Sequence, residues 1–150
     1  MPSIWQKNVD GIASRDEMKT VIVTAALIIE QGKILVTQRK KDSSHGLLWE
    51  FPGGKVKKGE EPRDALRREL KEELDVEVEV GMIFDTIFYS YPEYPILLLV
   101  YRCRIEKGSL KPIGCHDLRW VNLRELEKLA MPPADDPIRK HLGSFEEGFL

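Results

Sequence analysis

Glu69, Glu72 and Glu73, with Arg68 beside them and Glu60 a little earlier, are the residues of this chain whose types and spacing could do chemistry. On an α-helix, at about 100° per residue, the three glutamates fall within an arc of roughly 100°. Carboxylates gathered on one side of an anchored helix offer the oxygen ligands that hard divalent cations prefer. The helix is predicted from its surroundings. Pro62 suits a first helical position, where its missing N–H leaves nothing unpaired. Leu66, Leu70 and Leu74 form an adjacent apolar stripe that would face a core. A charged helix is usually a solvated face, but this one is badly arranged for that role. Like charges at i, i+3 and i+4 repel, and the Arg68 to Glu72 pair runs cation first, the weaker direction. The pattern is poor for stability and good for metal.

The run from Gly54 through Glu60 to Arg68-Glu69-Leu70 and Glu72-Glu73 resembles the Nudix box, the diphosphate-hydrolysing signature of the Nudix hydrolases. A chance match is on the order of 10⁻⁶ per window at ordinary residue frequencies. The likeness extends over residues 21–142 to the MutT-like branch, which cleaves nucleoside triphosphates to monophosphate and pyrophosphate. Trp49-Glu50-Phe51-Pro52-Gly53-Gly54, Leu118-Arg119-Trp120-Val121 and Pro132-Pro133-Ala134-Asp135-Asp136-Pro137 carry it. The resemblance implies that Glu69, Glu72, Glu73 and the backbone carbonyl of Gly53 hold Mg2+, with Mn2+ as an alternative. It implies a glutamate base, Glu69 first and Glu60 second, and an Arg68 that orients the carboxylates. For Glu60 the other reading is an acidic residue favouring the positive end of the helix. Arg39 matches a phosphate-reaching position. Phe51, Tyr91, Tyr94, Ile96 and Leu98 match base-pocket positions, and each can equally be read as ordinary core.

Asp135 matches the place where MutT has asparagine, and an ionised aspartate there would favour a donor edge such as the cytosine amino group. A raised pKa would let it read an oxidised guanine as well. Its alternative role is to support a helix cap at Asp136. Two positions depart from the family pattern. Asp75 stands where the box has glycine, just past the helix end, and aspartate tolerates the left-handed conformation better than most residues. Gly114 stands where the branch often has a further acidic ligand, with Asp117 as a possible substitute nearby.

The 150 residues suffice for one domain with a substantial core. Lysine and arginine number 23 against 25 acidic residues, so no basic surplus argues for a long nucleic-acid partner. The apolar runs at residues 21–29 and 96–101 fall far short of the ~20 needed to span a bilayer, and residues 1–19 lack the apolar centre of a signal peptide. Cys103 and Cys115, without CxxC spacing, read as buried free thiols, so the expected setting is the reducing cytoplasm. His45, His116 and His141 show no spacing that requires a catalytic histidine.

A β-hairpin is predicted over residues 20–38, turning at Gln31-Gly32. Further strands are expected at 76–89, 96–105 and 118–121, with a loop at Pro52-Gly53-Gly54. Asn122 would cap a short helix, and Asp136 would cap a last one with Pro137 at its first position. Strands mixed with a few helices indicate an α/β or α+β class. The resemblance makes this a mixed sheet sandwiched between helices, with residues 1–18 as an arm and 19–150 as the domain. The expected partner is a nucleoside triphosphate, in a monomer or homodimer. Rival readings are a hydrolase of ADP-ribose or another nucleoside diphosphate derivative, and a Nudix-fold binding module without chemistry.

Overall fold

A computed structural model describes residues 19–145, so the expected N-terminal arm lies outside the described residues. Strands β1 (Val21–Glu30) and β2 (Lys33–Gln38) form the predicted hairpin, its turn made by Gln31 and Gly32 at positive φ. Then follow β3 (Trp49–Glu50), β4 (Gly53–Lys55), helix α1 (Pro62–Leu74), β5 (Glu77–Ser90), β6 (Pro95–Lys107) and β7 (Asp117–Val121). Helix α2 (Leu123–Lys128), a single 3-10 turn (Pro133–Asp135) and helix α3 (Asp136–Gly143) close the chain. The sheet runs β3-β2-β1-β6-β5, with β4 added to β1 and β7 to β2. Only the β1–β6 pairing is parallel among these strands, which makes the sheet mixed.

The central strand β1 is apolar on both sides because both are covered. Ala26 and Ile28 pack with Leu66, Leu70 and Leu74 of α1. Ala25 and Leu27 pack on the other side with Leu126, Ile138 and Leu142 of α2 and α3. The three leucines of α1 are fully buried, as their stripe predicts. The apolar area removed from water by each is worth about 2 kcal/mol, and this burial holds the charged face of α1 in place.

Two local expectations are corrected. Gly53 and Gly54, read as loop, form strand β4 opposite Ala25 and Thr24. Asp136 does not cap α3 but is its first residue, its carboxylate paired with Arg139. Asn122 caps α2 as expected, in a reciprocal capping box with Glu125. Cys103 and Cys115 are free and buried.

Candidate active site

Helix α1 is fixed at both ends. At its start the Glu61 carboxylate accepts the Asp64 N–H at 3.2 Å, with Pro62 next to it. At its finish Asp75 takes the left-handed conformation (φ 57°, ψ 38°) that glycine would supply, and pairs with Lys71 at 2.9 Å. The last carbonyls are covered by the loop before β7. Lys111 donates to the Leu74 carbonyl at 3.0 Å, and Ile113 and Gly114 donate to that of Glu73 at 3.1 and 2.9 Å. This explains the glycine at 114. A Cβ there would lie 3.0 Å from Glu73 Cα, so the helix backbone fills the space a larger residue needs. Asp117 turns its carboxylate to its neighbour's amide, accepting from Leu118 at 2.8 Å.

Arg68 stands at the centre of the charged face. Its Nε and Nη2 grip both oxygens of Glu60 at 2.8 and 2.9 Å, and its Nη1 reaches Glu69 at 2.9 Å and Glu72 at 3.2 Å. The bidentate bond, with a further one from the Lys57 amide, holds the Glu60 carboxyl down to about 2. Glu60 is therefore tied to Arg68 rather than to the helix end, where Glu61 does the capping. Glu69 moves the other way. Burial pushes its pKa up, and the attraction of Arg68 does not cancel that. Its carboxylate lies against Gly54, where an added Cβ would come within 2.4 Å of the carboxyl carbon.

Glu73 is the most perturbed glutamate of the group. It accepts the Thr37 hydroxyl at 3.1 Å from β2. Burial raises it to about 8, with the charge of Glu50 adding and the Thr37 and Gly53 hydrogen bonds opposing. Glu72 is the most exposed of the three and leans on Arg68. Among the described residues no three acidic, imidazole or thiol groups are arranged around one point. Arg68 occupies that position between Glu60, Glu69 and Glu72.

The expected base-pocket residues gather in one region. Phe51, Ile96 and Leu98 are buried in a single apolar cluster with Ile87 and Ala134, and Tyr91 and Tyr94 pack at its edge. The Tyr91 hydroxyl accepts the Ala134 N–H at 3.2 Å, which ties it to the turn carrying Asp135. Lys55 Nζ sits 5.1 Å above the Tyr94 ring, a cation–π contact. Asp135 is 6% exposed and makes no side-chain cap hydrogen bond to α3. Burial first, then the negative charge of Glu50, push its carboxyl well above the usual range. Arg39 is held within the protein, its Nη1 bound to both oxygens of Glu50 at 3.2 and 3.0 Å and its Nε to the Ser44 carbonyl at 2.6 Å.

Glu50 is the residue that sequence reasoning missed. Its charge raises Glu73 on one side and Asp135 and Tyr91 on the other, and it is itself raised by burial and by the charge of Glu69. A signal was present. Trp49 and Phe51 are both apolar and buried, and alternation along a strand puts the residue between them on the opposite face, where a carboxylate needs a cation.

The chain matches the NUDIX domain over residues 24–141. It belongs to the Nudix family. This Nudix hydrolase is 37% identical over 121 residues to the CTP pyrophosphohydrolase of Escherichia coli, covering 81% of this chain and 90% of the relative. It is 31% identical over 124 residues to the 8-oxo-dGTP diphosphatase of the same organism, covering 81% and 95%. The solution structure of the Escherichia coli ORF135 protein superposes with a TM-score of 0.73 at 35% identity, over 85% of this chain and 91% of that one. MutT from methicillin-resistant Staphylococcus aureus gives 0.69 at 35% identity, over 86% and 100%.

Proposed function

We propose that this Nudix hydrolase cleaves nucleoside triphosphates to the monophosphate and pyrophosphate, with magnesium and, as a substitute, manganese. One observation carries the reading: Glu50 stands opposite Thr37, which donates to Glu73 of α1, and the Glu50 charge also raises Asp135 and Tyr91 on the aromatic side. The carboxylate face and the apolar cluster that would receive the base therefore meet at one strand. The two relatives named as pyrophosphohydrolase and diphosphatase support the same reaction.

The donor set fits a hard cation. All its side chains are carboxylates, and Glu73 is held neutral to about 8 by burial and like charge that a cation would relieve. Glu69, Glu72, Glu73 and the Gly53 carbonyl would hold the ion. When bound, it neutralises phosphate charge and lowers the pKa of a coordinated water. The protein's own part is proton transfer and positioning. Glu69, raised by burial, takes the proton of the attacking water. Glu60, held at about 2, is too weak a base and instead anchors Arg68. Arg68 keeps Glu69 and Glu72 apart before substrate arrives, and Arg39 leaves Glu50 for the phosphates.

Asp135 addresses the base from the buried turn. Burial and the charge of Glu50 favour its protonated form, which both donates and accepts, as an amide does. That suits an oxidised guanine, whose edge places an acceptor oxygen beside a donor N–H, so 8-oxo-dGTP is the first substrate proposed. (d)CTP is the second, on the strength of the 37% identical relative. The structural likeness to an ADP-ribose pyrophosphatase, at 22% identity, speaks for the fold alone. Among the described residues no helix is long and apolar enough to cross a membrane, and a nucleotide-pool role places the protein in the cytoplasm. Initial rates with 8-oxo-dGTP, dCTP, CTP, dGTP and ADP-ribose in magnesium test the assignment. ADP-ribose as the best substrate, or no turnover of any, would overturn it.

A further inference from the structure

Helix α2 has only six residues, and a helix that short is marginal by itself. Its start is closed by the capping box of Asn122 and Glu125. Its end has no glycine. Leu129 follows in extended conformation, so no left-handed turn covers the last carbonyls. Arg139 covers them instead, reaching back from one turn into α3. Its Nη1 donates to the Leu129 carbonyl at 2.8 Å and to that of Leu126 at 3.1 Å, with a longer approach of 3.4 Å to that of Glu127. Its Nη2 pairs with the Asp136 carboxylate. The side chain is 17% exposed, so the guanidinium is largely out of water and satisfied by these partners. Leu126, Ile138 and Leu142 also pack the two helices together, but apolar contact is non-directional. Among the described residues Arg139 alone bridges α2 and α3 by hydrogen bonds.

We propose, on the reading that Asp135 addresses the base, that Arg139 is a positioning residue for base selection: by tying α2 to α3 it fixes the loop that presents Asp135. Residues 130–135 run between the two helices, so both ends of this loop are held by one guanidinium. The sheet side supplies two more anchors. Trp49 donates its N–H to the Ala130 carbonyl at 2.8 Å, and the Tyr91 hydroxyl accepts the Ala134 N–H at 3.2 Å. The Asp135 carboxylate makes no cap bond to α3, so its place follows from the path of the loop. The charge of Arg139 also reaches Asp135 and opposes the rise that burial causes. Removing Arg139 therefore has two effects of opposite sign. Loss of the charge alone favours the neutral carboxyl and raises the preference for 8-oxo-dGTP over dCTP. Loss of position lowers that preference, because a displaced carboxyl no longer meets both groups on the oxidised edge.

Steady-state kinetics on Arg139→Met and Arg139→Lys with 8-oxo-dGTP and dCTP test this, with circular dichroism showing that each variant is folded. Arg139→Met removes every bond, whereas Arg139→Lys keeps the charge and loses the planar fork. The kcat/KM ratio of 8-oxo-dGTP to dCTP should fall by roughly tenfold in Arg139→Met. In Arg139→Lys it should fall by about threefold or more, and that variant decides the matter if Arg139→Met does not fold. The loss should lie in KM, with kcat within about threefold, because α1 packs on the other side of the sheet. Asp135→Ala and the double variant complete a cycle. Once Asp135 is gone, Arg139→Met should move the ratio by less than about twofold. An unchanged or raised ratio in the folded Arg139 variants, or fully additive effects in the cycle, would overturn the positioning role and leave Asp135 as the reader of the base. A ratio that Asp135→Ala does not move would overturn that reading and this proposal with it.

Discussion

Glu73 and Asp135 are carboxyls that burial pushes well above the usual carboxylate range, and each carries a prediction. Glu73→Gln and Glu72→Gln should each lower kcat by at least about a hundredfold, the loss expected when a charged group at a phosphate site becomes an amide. Both variants should stay folded, because like charges crowd one another in the metal-free protein. Near-normal turnover of either in saturating magnesium would remove that residue from the site. Asp135→Asn separates a neutral aspartate from an ionised one. With the carboxyl neutral at pH 7, an amide replaces a group of the same donor and acceptor capacity, and the kcat/KM ratio of 8-oxo-dGTP to dCTP should move less than about threefold. An ionised aspartate requires the ratio to rise by roughly tenfold, one hydrogen bond's worth. Steady-state kinetics on both substrates distinguish the two.

At the scale of elements, the arrangement of α1 over β4 makes neighbouring glycines behave differently. A Cβ at Gly54 would first meet the movable carboxylate of Glu69, at 2.4 Å. A Cβ at Gly53 would lie 2.0 Å from the Thr24 carbonyl oxygen in β1, which cannot move without unpairing the strands. Gly54→Ala should therefore cut kcat by tenfold or more with a small change in Tm, whereas Gly53→Ala should lower Tm by several degrees. Equal effects on both quantities would contradict this. The same elements show what the chain reveals before folding. Helix α1 was legible because Pro62, the leucine stripe and the glutamate spacing all follow one period. Strand β4 was not, because two glycines have no strand propensity, and their pairing comes from close backbone approach to β1. The site divides the same way. The α1 glutamates could be placed on a common face from spacing alone. The Arg68–Glu60 grip, the Arg39–Glu50 pair and the burial of Asp135 depend on contacts between elements far apart in the chain.

For the whole molecule, the perturbed carboxyls tie stability to pH and to metal. Glu73 and Asp135 are both raised by folding, so the native state holds protons that the unfolded chain has released. Stability must then fall as pH rises above the ordinary carboxylate range, for Glu73 up to about 8. The Tm of metal-free protein should drop between pH 5 and 8, and millimolar magnesium should restore much of the loss at pH 8 by binding only the native state. Glu73→Gln should flatten the profile. A Tm that climbs through this window would refute the buried position of these groups. Phosphorus NMR of the reaction mixture tests the central claim most directly. With 8-oxo-dGTP and magnesium, the spectrum should show the monophosphate and pyrophosphate appearing together from the first time point. Nucleoside diphosphate and orthophosphate as the first products would contradict the account.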